Sequence, residues 1–192
     1  MFIKYSFDLI FSVLGLVLIG WLIIILWIFA SMDTLSNGMI RQPRIGKDGK
    51  IFKMFKLRSM RKVEGINTFI TTSKDPRISN FGKFLRKFNL DELPQLLNVL
   101  LGSMSFVGPR PDVPGYADQL KGENGKILEL RPGITGPASL KYANEEEILA
   151  NVEDPEKYND EVIYPDKVKI NLDYYYNHTF WGDLRIIIRT IL

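Results

Sequence analysis

The chain has 192 residues, enough for one compact domain and a membrane element, and its net charge is only +3. It contains no cysteine, which excludes disulfides, thiolate metal sites and a cysteine nucleophile. The single histidine, His178, excludes a multi-histidine metal site, and a Ser–His–Asp catalytic device would have to depend on that one residue.

The N-terminal segment predicts a membrane helix. Residues Ile10 to Ala30 contain no charged side chain, and Asp8 and Asp33 bracket them. Such a helix is roughly 32 Å long, about the thickness of the hydrocarbon core of a bilayer. A cleaved signal peptide is disfavoured because the apolar run is too long and the charge of Lys4 is offset by that of Asp8.

Two membrane geometries remain open for this segment: a straight span, and a re-entrant hairpin that enters and leaves by the same face. Gly15, Gly20 and Trp21 lie near its middle, where glycine permits a bend, although glycine is also common in spanning helices. The residues alone favour a span. Under either geometry the positive-inside rule places the downstream domain in the cytoplasm, where its cations would also suit anionic lipid headgroups. These cations are Arg41, Arg44, Lys47, Lys50, Lys53, Lys56 and Arg58, and only Lys4 precedes the segment.

The next part of the chain predicts local elements. Residues 38–60 predict two short strands joined by a turn at Gly46-Lys47-Asp48-Gly49, and residues 61–76 predict a loop. At the other end of the chain, the apolar spacing of Asp183–Leu192 predicts a helix that lies on a surface or packs against a core. Residues 141–169 are polar, and the segment between Pro137 and Asp173 that contains them is interpreted as either a substrate-facing or a surface insertion.

Residues 77–104 predict mostly helical, amphipathic structure. Phe81, Phe84, Leu85 and Phe88 follow helical spacing among basic residues, which suits a membrane interface or, alternatively, a core-facing helix with a solvated basic face. The adjacent membrane segment favours the interface. Pro94 predicts the first turn of a second helix, with Asn89 or Asp91 as its N-cap.

Asp91 and Glu92 are adjacent carboxylates at this predicted helix start. In a purely structural role, these two carboxylates would cap free N–H groups and interact with the helix dipole. Their chemical reading is a phosphoryl-transfer site, because an aspartate can attack phosphorus and basic side chains bind phosphate oxygens. The chain has neither a GxxxxGK[ST] phosphate loop nor a GxGxxG fingerprint. The candidate phosphate ligands in turn-rich contexts are Lys56, Arg58, Arg110 and Arg131.

Several motifs in order resemble the small monotopic phosphoglycosyl transferases, a family of bacterial sugar transferases. Together they cover nearly the whole chain, which makes the resemblance specific, whereas any single motif would be weak. The motifs are Arg41-Gln42-Pro43-Arg44-Ile45-Gly46, Lys56-Leu57-Arg58-Ser59-Met60, Leu90-Asp91-Glu92-Leu93-Pro94-Gln95-Leu96, Asn98-Val99-Leu100, Met104-Ser105-Phe106-Val107-Gly108-Pro109-Arg110-Pro111 and Arg131-Pro132-Gly133-Ile134-Thr135-Gly136.

The resemblance implies transfer of a phospho-sugar from a UDP-sugar to a polyprenyl phosphate (undecaprenyl phosphate), with release of UMP. It implies that Asp91 forms a covalent phospho-sugar intermediate, and that Glu92 completes an acidic dyad that assists Mg²⁺ or handles protons. Mg²⁺, held by this dyad, would neutralise the diphosphate. Arg110 and Arg131 would contact phosphates. Lys56 and Arg58 would be substrate-binding or structural cations.

The resemblance also implies a re-entrant membrane helix, usually broken at a Ser-Pro pair. Here Gly20-Trp21 takes that place, so the bend loses the proline that forces it. With the resemblance, the expected fold is α+β and mostly helical: a re-entrant helix in residues 1–35, then a cytoplasmic catalytic domain in residues 36–192 with interfacial helices and a short β-hairpin. Asp91 must be reachable by both a water-soluble donor and a lipid acceptor.

The expected location is the cytoplasmic face of the bacterial inner membrane. Expected partners are membrane lipid and either a second copy of the chain or downstream glycosyltransferases. The competing hypothesis is a non-catalytic adaptor that binds anionic lipid or an acidic protein through its basic face. Nucleic acid is not expected as a partner, because the cations adjoin the hydrophobic segment and no base-reading motif is present.

Overall fold

The computed structural model describes residues 2–63 and 71–192, so part of the loop predicted at 61–76 lies outside the described residues. The fold is α+β and mostly helical, as predicted. Its helices are α1 (Phe2–Thr34), α2 (Asn80–Lys87), α3 (Gln95–Leu100), α4 (Pro137–Lys141), α5 (Glu145–Ala150), α6 (Pro155–Tyr158), α7 (Tyr164–Asn177) and α8 (Phe180–Ile191). Its strands are β1 (Met39–Ile45), β2 (Ile51–Leu57), β3 (Ser105–Val107) and β4 (Gly133–Thr135).

The chain forms two compact units. The first unit contains Met1–Arg44, Phe52–Ile66 and Pro76–Met104. The second unit contains Ile45–Ile51, Asn67–Asp75 and Ser105–Leu192. The predicted boundary at residues 35 and 36, between a membrane-embedded domain and a cytoplasmic domain, stays a prediction.

Helix α1 runs without interruption through its apolar sequence, and within the described residues it alone is long and apolar enough to cross a membrane. Only 17% of its most apolar stretch is buried inside the protein, whereas the core helix of a soluble protein would be mostly buried. The described helix continues through Gly20 and Trp21 without a break. Trp21 is 62% exposed, and a Cβ atom at Gly20 would meet no other part of the described protein. Glycine permits a bend but, unlike proline, leaves every backbone N–H in place.

One narrow stripe of α1 contains buried residues in both halves of the helix, at helical spacing. A Cβ atom at Gly15 would lie 3.2 Å from Cδ1 of Leu96, so α3 packs closely against the N-terminal half of the helix. Towards its C-terminal end, α1 contributes Leu26 and Ala30 to a core that also contains Leu57 and Leu85. The buried residues of the stripe are Asp8, Ser12, Ile23, Leu26, Ala30 and Thr34.

The predicted hairpin is confirmed, with β1 pairing with β2. Helix α2 begins after Ser79, whose Oγ accepts a hydrogen bond from Gly82 N at 2.9 Å. Pro94 has helical φ and ψ angles and immediately precedes α3, which agrees with its predicted place at the start of a second helix to within one position. The predicted N-cap, Asn89 or Asp91, is wrong, because Pro94 itself holds the N-cap position of α3. Asn89 does precede the 3₁₀ turn Leu90–Glu92, but it has φ 52° and its side chain makes no capping hydrogen bond.

The second unit contains a parallel pairing of β3 with β4 that the sequence analysis did not predict. Ser105 pairs with Gly133 and Val107 with Thr135. Gly108 and Gly133 lie where the segments after β3 and before β4 touch, and a Cβ atom at either glycine would collide with backbone of the other segment. These glycines therefore allow two motif segments to run side by side.

The C-terminal helix α8 packs against a core, which is one of the two alternatives considered for it. Ile186 and Ile187 pack against a core that includes Val107 and Tyr174, and Tyr174 Oη donates a 2.6 Å hydrogen bond to Asp183. Other apolar side chains of α8 face outward: Trp181, Ile188, Ile191 and Leu192.

Candidate functional site

The carboxylate pair predicted from the sequence lies on the 3₁₀ turn Leu90–Glu92, just before α3. Asn89 has a left-handed backbone conformation, with φ 52°, and it changes the direction of the chain between the end of α2 and this turn. Asp91 is 2% exposed. The turn thus carries one deeply buried carboxylate and one partly buried carboxylate side by side.

Lys56, at the end of β2, reaches both carboxylates. Its Nζ lies 3.0 Å from Asp91 Oδ2 and 3.5 Å from Glu92 Oε1. The side chains of Lys56, Asp91 and Glu92 are 14%, 3% and 13% exposed, so these charges are largely removed from water. Buried charges need partners, and one ammonium here lies within ion-pair distance of both carboxylates.

The contact between Lys56 and Asp91 is an ion pair rather than an aligned hydrogen bond. Asp91 Oδ2 is buried and has no hydrogen-bond partner of ordinary geometry among the described residues. An oxygen that lies 3.0 Å from an ammonium yet lacks an aligned donor keeps lone pairs directed elsewhere.

The burial of Asp91 differs from the expectation that it would be open to both substrates. Lys56 covers Oδ2, and the neighbouring Leu90 and Leu93 pack into the apolar core of the first unit. A carboxylate surrounded in this way is stabilised by its cation. With Asp91 only 2% exposed, access to its carboxylate requires rearrangement of the side chains around it.

Asn98 is a residue of this site that the sequence analysis named only as part of a motif. It is 1% exposed on α3, and its side-chain amide bonds the backbone of β2 on both sides of Met54. A polar residue in the apolar run Leu96-Leu97-Asn98-Val99-Leu100 was the available signal, because a buried amide must find partners.

Arg58 lies in the first unit, where its Nε donates a 2.8 Å hydrogen bond to the carbonyl oxygen of Asn37. Arg61 similarly donates from Nε to the carbonyl oxygen of Asp33 at 2.9 Å, and its Nη2 pairs with the Asp33 carboxylate at 3.0 Å. Both arginines thus bind the segment where α1 ends. For Arg58 this contact matches the structural alternative considered for it, and a phosphate-binding role stays a prediction.

Arg110 and Arg131 lie in the second unit, on the segments that follow β3 and precede β4. Backbone hydrogen bonds join these segments, from Gly108 N to Thr135 O and from Gly133 N to Pro109 O, both 2.9 Å long. The fold therefore brings the backbones that carry the two predicted phosphate ligands together. Arg110 is exposed and Arg131 is half-buried.

The polar stretch 141–169 contains a charge network within the second unit. Tyr142 Oη and Lys141 Nζ donate hydrogen bonds to Asp166 Oδ2 at 2.7 and 2.6 Å, and Lys167 pairs with Glu145 at 2.6 Å. Burial and the bond to Asp166 raise the pKa of Tyr142 to about 12. Hydrogen bonds from Lys141 and Tyr142 lower the pKa of Asp166. This network ties α4 and α5 to α7.

Two carboxylates are enough to bind a magnesium ion when substrate oxygens complete its coordination shell. Within the residues that the structure describes, no cluster of three or more acidic or histidine side chains could hold a metal by itself. Mg²⁺, however, is commonly held by one or two carboxylates together with substrate phosphates. The buried Asp91 Oδ2 and the adjacent Glu92 fit that kind of site.

Comparison with known proteins gives consistent matches over the whole chain. The sequence profile of the family described as bacterial sugar transferase matches residues 1–192. The chain is 32% identical, over 98% of its length, to UDP-glucose:undecaprenyl-phosphate glucose-1-phosphate transferase of Escherichia coli (strain K12). It is 31% identical, over 99% of its length, to UDP-N-acetylgalactosamine-undecaprenyl-phosphate N-acetylgalactosaminephosphotransferase of Aeromonas hydrophila.

These two relatives are longer proteins. The chain spans 39% of the Escherichia coli protein and 43% of the Aeromonas protein. A third relative has a similar length: the exopolysaccharide production protein PSS of Rhizobium leguminosarum bv. phaseoli is 33% identical, over 99% of this chain and 94% of that protein. The similarity to the longer proteins is therefore confined to the part that corresponds to this chain.

Proposed function

Since the chain belongs to the bacterial sugar transferase family, we propose that it transfers a sugar 1-phosphate from a UDP-sugar to undecaprenyl phosphate and releases UMP. This would be the first membrane step in assembly of a glycoconjugate or polysaccharide. The names of the Escherichia coli and Aeromonas relatives support these substrates. The observation that carries the proposal is the buried cluster of Asp91, Glu92 and Lys56, which combines a nucleophile with a cation that binds phosphate.

The proposed reaction has two displacement steps. An Asp91 carboxylate oxygen attacks the β-phosphorus of the UDP-sugar, the bond from that phosphorus to the bridging oxygen breaks, and UMP leaves with the oxygen and its electron pair. A phosphate oxygen of undecaprenyl phosphate then attacks the same phosphorus. The bond to Asp91 breaks, which restores the carboxylate and gives the lipid-linked diphosphate sugar.

Donor binding would expose the nucleophile. Lys56 lies on Asp91 Oδ2, and a diphosphate offers the ammonium several more exposed negative oxygens. We infer that Lys56 moves from the carboxylate to the incoming phosphate, so that the nucleophile is uncovered only when the donor is present. Lys56 would then serve both as the predicted phosphate ligand and as the cover of Asp91.

The remaining predicted cations would hold the substrate phosphates. Arg110 and Arg131 carry guanidinium groups suited to bidentate phosphate binding, and their adjoining backbone segments support a joint role. Arg58 would contact phosphate through guanidinium nitrogens other than Nε, which donates to Asn37 O. Glu92 would share Lys56 with Asp91 and keep the ammonium within reach of the reacting phosphate.

Mg²⁺ is the proposed cofactor, with Asp91 and Glu92 as the residues that would hold it. When bound, it would neutralise the diphosphate and stabilise the charge that develops on the leaving group. Asp91 and Glu92 would remain the groups that orient the donor.

We also propose that α1 attaches the chain to the cytoplasmic face of the inner membrane from one side. A helix that crossed the bilayer alone would contact its domain only near one end. Here the buried stripe reaches from Asp8 to Thr34, and α3 packs near Gly15. The outward-facing Phe84 and Phe88, 47% and 56% exposed, support contact of α2 with the membrane interface.

The test uses the full chain in lipid nanodiscs with Mg²⁺, undecaprenyl phosphate and a panel of donors. UDP-glucose, UDP-galactose, UDP-N-acetylgalactosamine and a UDP-bacillosamine derivative are offered separately, and UMP release is measured. At least one donor should release UMP, and with donor alone a labelled phospho-sugar should remain on the chain. UMP release without a labelled chain would indicate direct transfer. No UMP with any donor would favour the membrane adaptor.

A further inference from the structure

Asn98 holds β2 through both ends of its side-chain amide. Its Oδ1 accepts a hydrogen bond from Phe55 N at 2.9 Å, and its Nδ2 donates to Lys53 O at 2.9 Å. Only one orientation of the amide satisfies both partners, because the oxygen faces an N–H and the nitrogen faces a carbonyl. The side chain therefore imitates a neighbouring strand and fixes the backbone of β2 over three residues.

Asn98 is in turn fixed by the turn that follows α3. Its carbonyl oxygen accepts hydrogen bonds from Ser103 N, Met104 N and Ser103 Oγ at 3.0, 3.2 and 3.1 Å. Its Nδ2 also donates to Ser103 Oγ at 3.2 Å. A buried amide with so many partners is rigid, so α3 and β2 keep one relative position within the first unit.

We propose that Asn98 is a positioning residue that acts through Lys56, an inference that rests on the proposed function. Lys56 directly follows Phe55, and its ammonium must reach two carboxylates that lie on the turn before α3. Asn98 couples the strand that carries Lys56 to the helix that follows Asp91. Loss of the amide would let β2 move relative to that turn and misplace the ammonium without removing any charge.

The variants follow from the two hydrogen bonds. Asn98→Ala removes both bonds to β2, whereas Asn98→Asp keeps the acceptor for Phe55 N and loses the donor to Lys53 O. Ser103→Ala is the matched control, because it removes a partner of Asn98 but leaves both bonds to β2 in place. Each variant is studied as the full chain in nanodiscs, with the donor that wild type uses.

Asn98→Ala should lower kcat for UMP release about tenfold and leave KM within about twofold, because the error lies in the geometry around the nucleophile. Amide hydrogen exchange at Phe55 should rise in Asn98→Ala and remain close to wild type in Asn98→Asp and Ser103→Ala. The kcat of Ser103→Ala should stay within about twofold of wild type. If Asn98→Ala does not fold, the kcat of Asn98→Asp is compared with that of Ser103→Ala in its place.

Two results would overturn the proposal. The first is a kcat of Asn98→Ala within twofold of wild type although exchange at Phe55 has risen, which would make the fixed strand irrelevant to turnover. The second is an equal fall in kcat for Asn98→Ala and Ser103→Ala, which would indicate general loosening of the turn. The proposed function is judged separately, by UMP release from the wild-type chain.

Discussion

The ammonium of Lys56 lies 3.0 Å from Oδ2 of Asp91, so the carboxylate proposed to attack phosphorus is already bound to a cation before any substrate arrives. With Glu92 also within 3.5 Å, one positive charge is shared by two negative ones. This arrangement keeps the proposed nucleophile buried and paired with a cation. It also makes the effects of substitutions at the three positions distinguishable.

Substitution of Asp91 by asparagine should abolish turnover while preserving the fold. Asparagine keeps the shape but provides no anionic oxygen, so UMP release should fall by about 10³-fold or more. Membrane attachment should remain, because the apolar surface of α1 is unchanged. Circular dichroism and nanodisc incorporation provide the controls. Turnover close to wild type would exclude Asp91 as the nucleophile.

Substitution of Lys56 by methionine should lower both stability and activity. It leaves two largely buried carboxylates without their ammonium, and removal of one partner of such a pair costs about 3 kcal/mol. The double variant Lys56→Met/Asp91→Asn should recover part of that loss in thermal melts, because one orphaned charge is gone.

The matched control for the Lys56 variant is Lys126→Met. Lys126 pairs with Glu123 on the surface, where their side chains are 39% and 56% exposed, so its loss should hardly change the melting temperature. Equal effects of the two lysine substitutions would contradict a special role for the buried cluster.

The tyrosine of the charge network should make stability depend on pH in alkaline solution. Because the folded-state pKa of Tyr142 is raised to about 12 from 10.0, folding favours its protonated form. The contribution of Tyr142 to the free energy of unfolding is therefore complete below pH 10 and is lost as the pH rises towards 12. Tyr142→Phe should be less stable than wild type at pH 9, and the difference in melting temperature should shrink by pH 12. A difference that grows across this range would contradict the assignment.

The local elements could be predicted from the sequence because their signals are local. Glycines at both ends of Gly46-Lys47-Asp48-Gly49 gave the hairpin turn, and helical spacing after Asp183 gave α8. The pairing of β3 with β4 could not be predicted, because three-residue strands carry no recognisable alternation and their partners are far apart along the chain.

The candidate site was predictable in its residue types and not in its contacts. Adjacent acids and nearby cations pointed to Asp91, Glu92 and Lys56, but a one-dimensional pattern does not reveal that Lys56 covers Asp91. Asn98 was missed as a positioning residue for a related reason: its importance comes from two backbone atoms of β2, and backbone atoms leave no signature in a sequence.

Substitution of Gly133 by alanine should disrupt the second unit. A Cβ atom there would collide with the backbone of Gly108, so the segments bearing Arg110 and Arg131 would have to separate. We expect a loss of at least about 2 kcal/mol in the free energy of unfolding, together with weaker donor binding. At Gly125 the nearest atom to an added Cβ is Leu120 O at 3.3 Å, so Gly125→Ala is the milder control. Similar melting temperatures for the two variants would show that the close approach is not required.

The absence of cysteine allows a direct test of how α1 meets the membrane. If attachment is one-sided, Lys4→Cys should react with a membrane-impermeant maleimide only in inside-out vesicles. Lys47→Cys, on the exposed hairpin turn, should behave identically because it marks the cytoplasmic face. A straight span would instead make Lys4→Cys reactive only in right-side-out vesicles. In that case α1 could not keep its N-terminal half against α3 unless α3 also lay within the bilayer, so the two labelling patterns separate the two geometries.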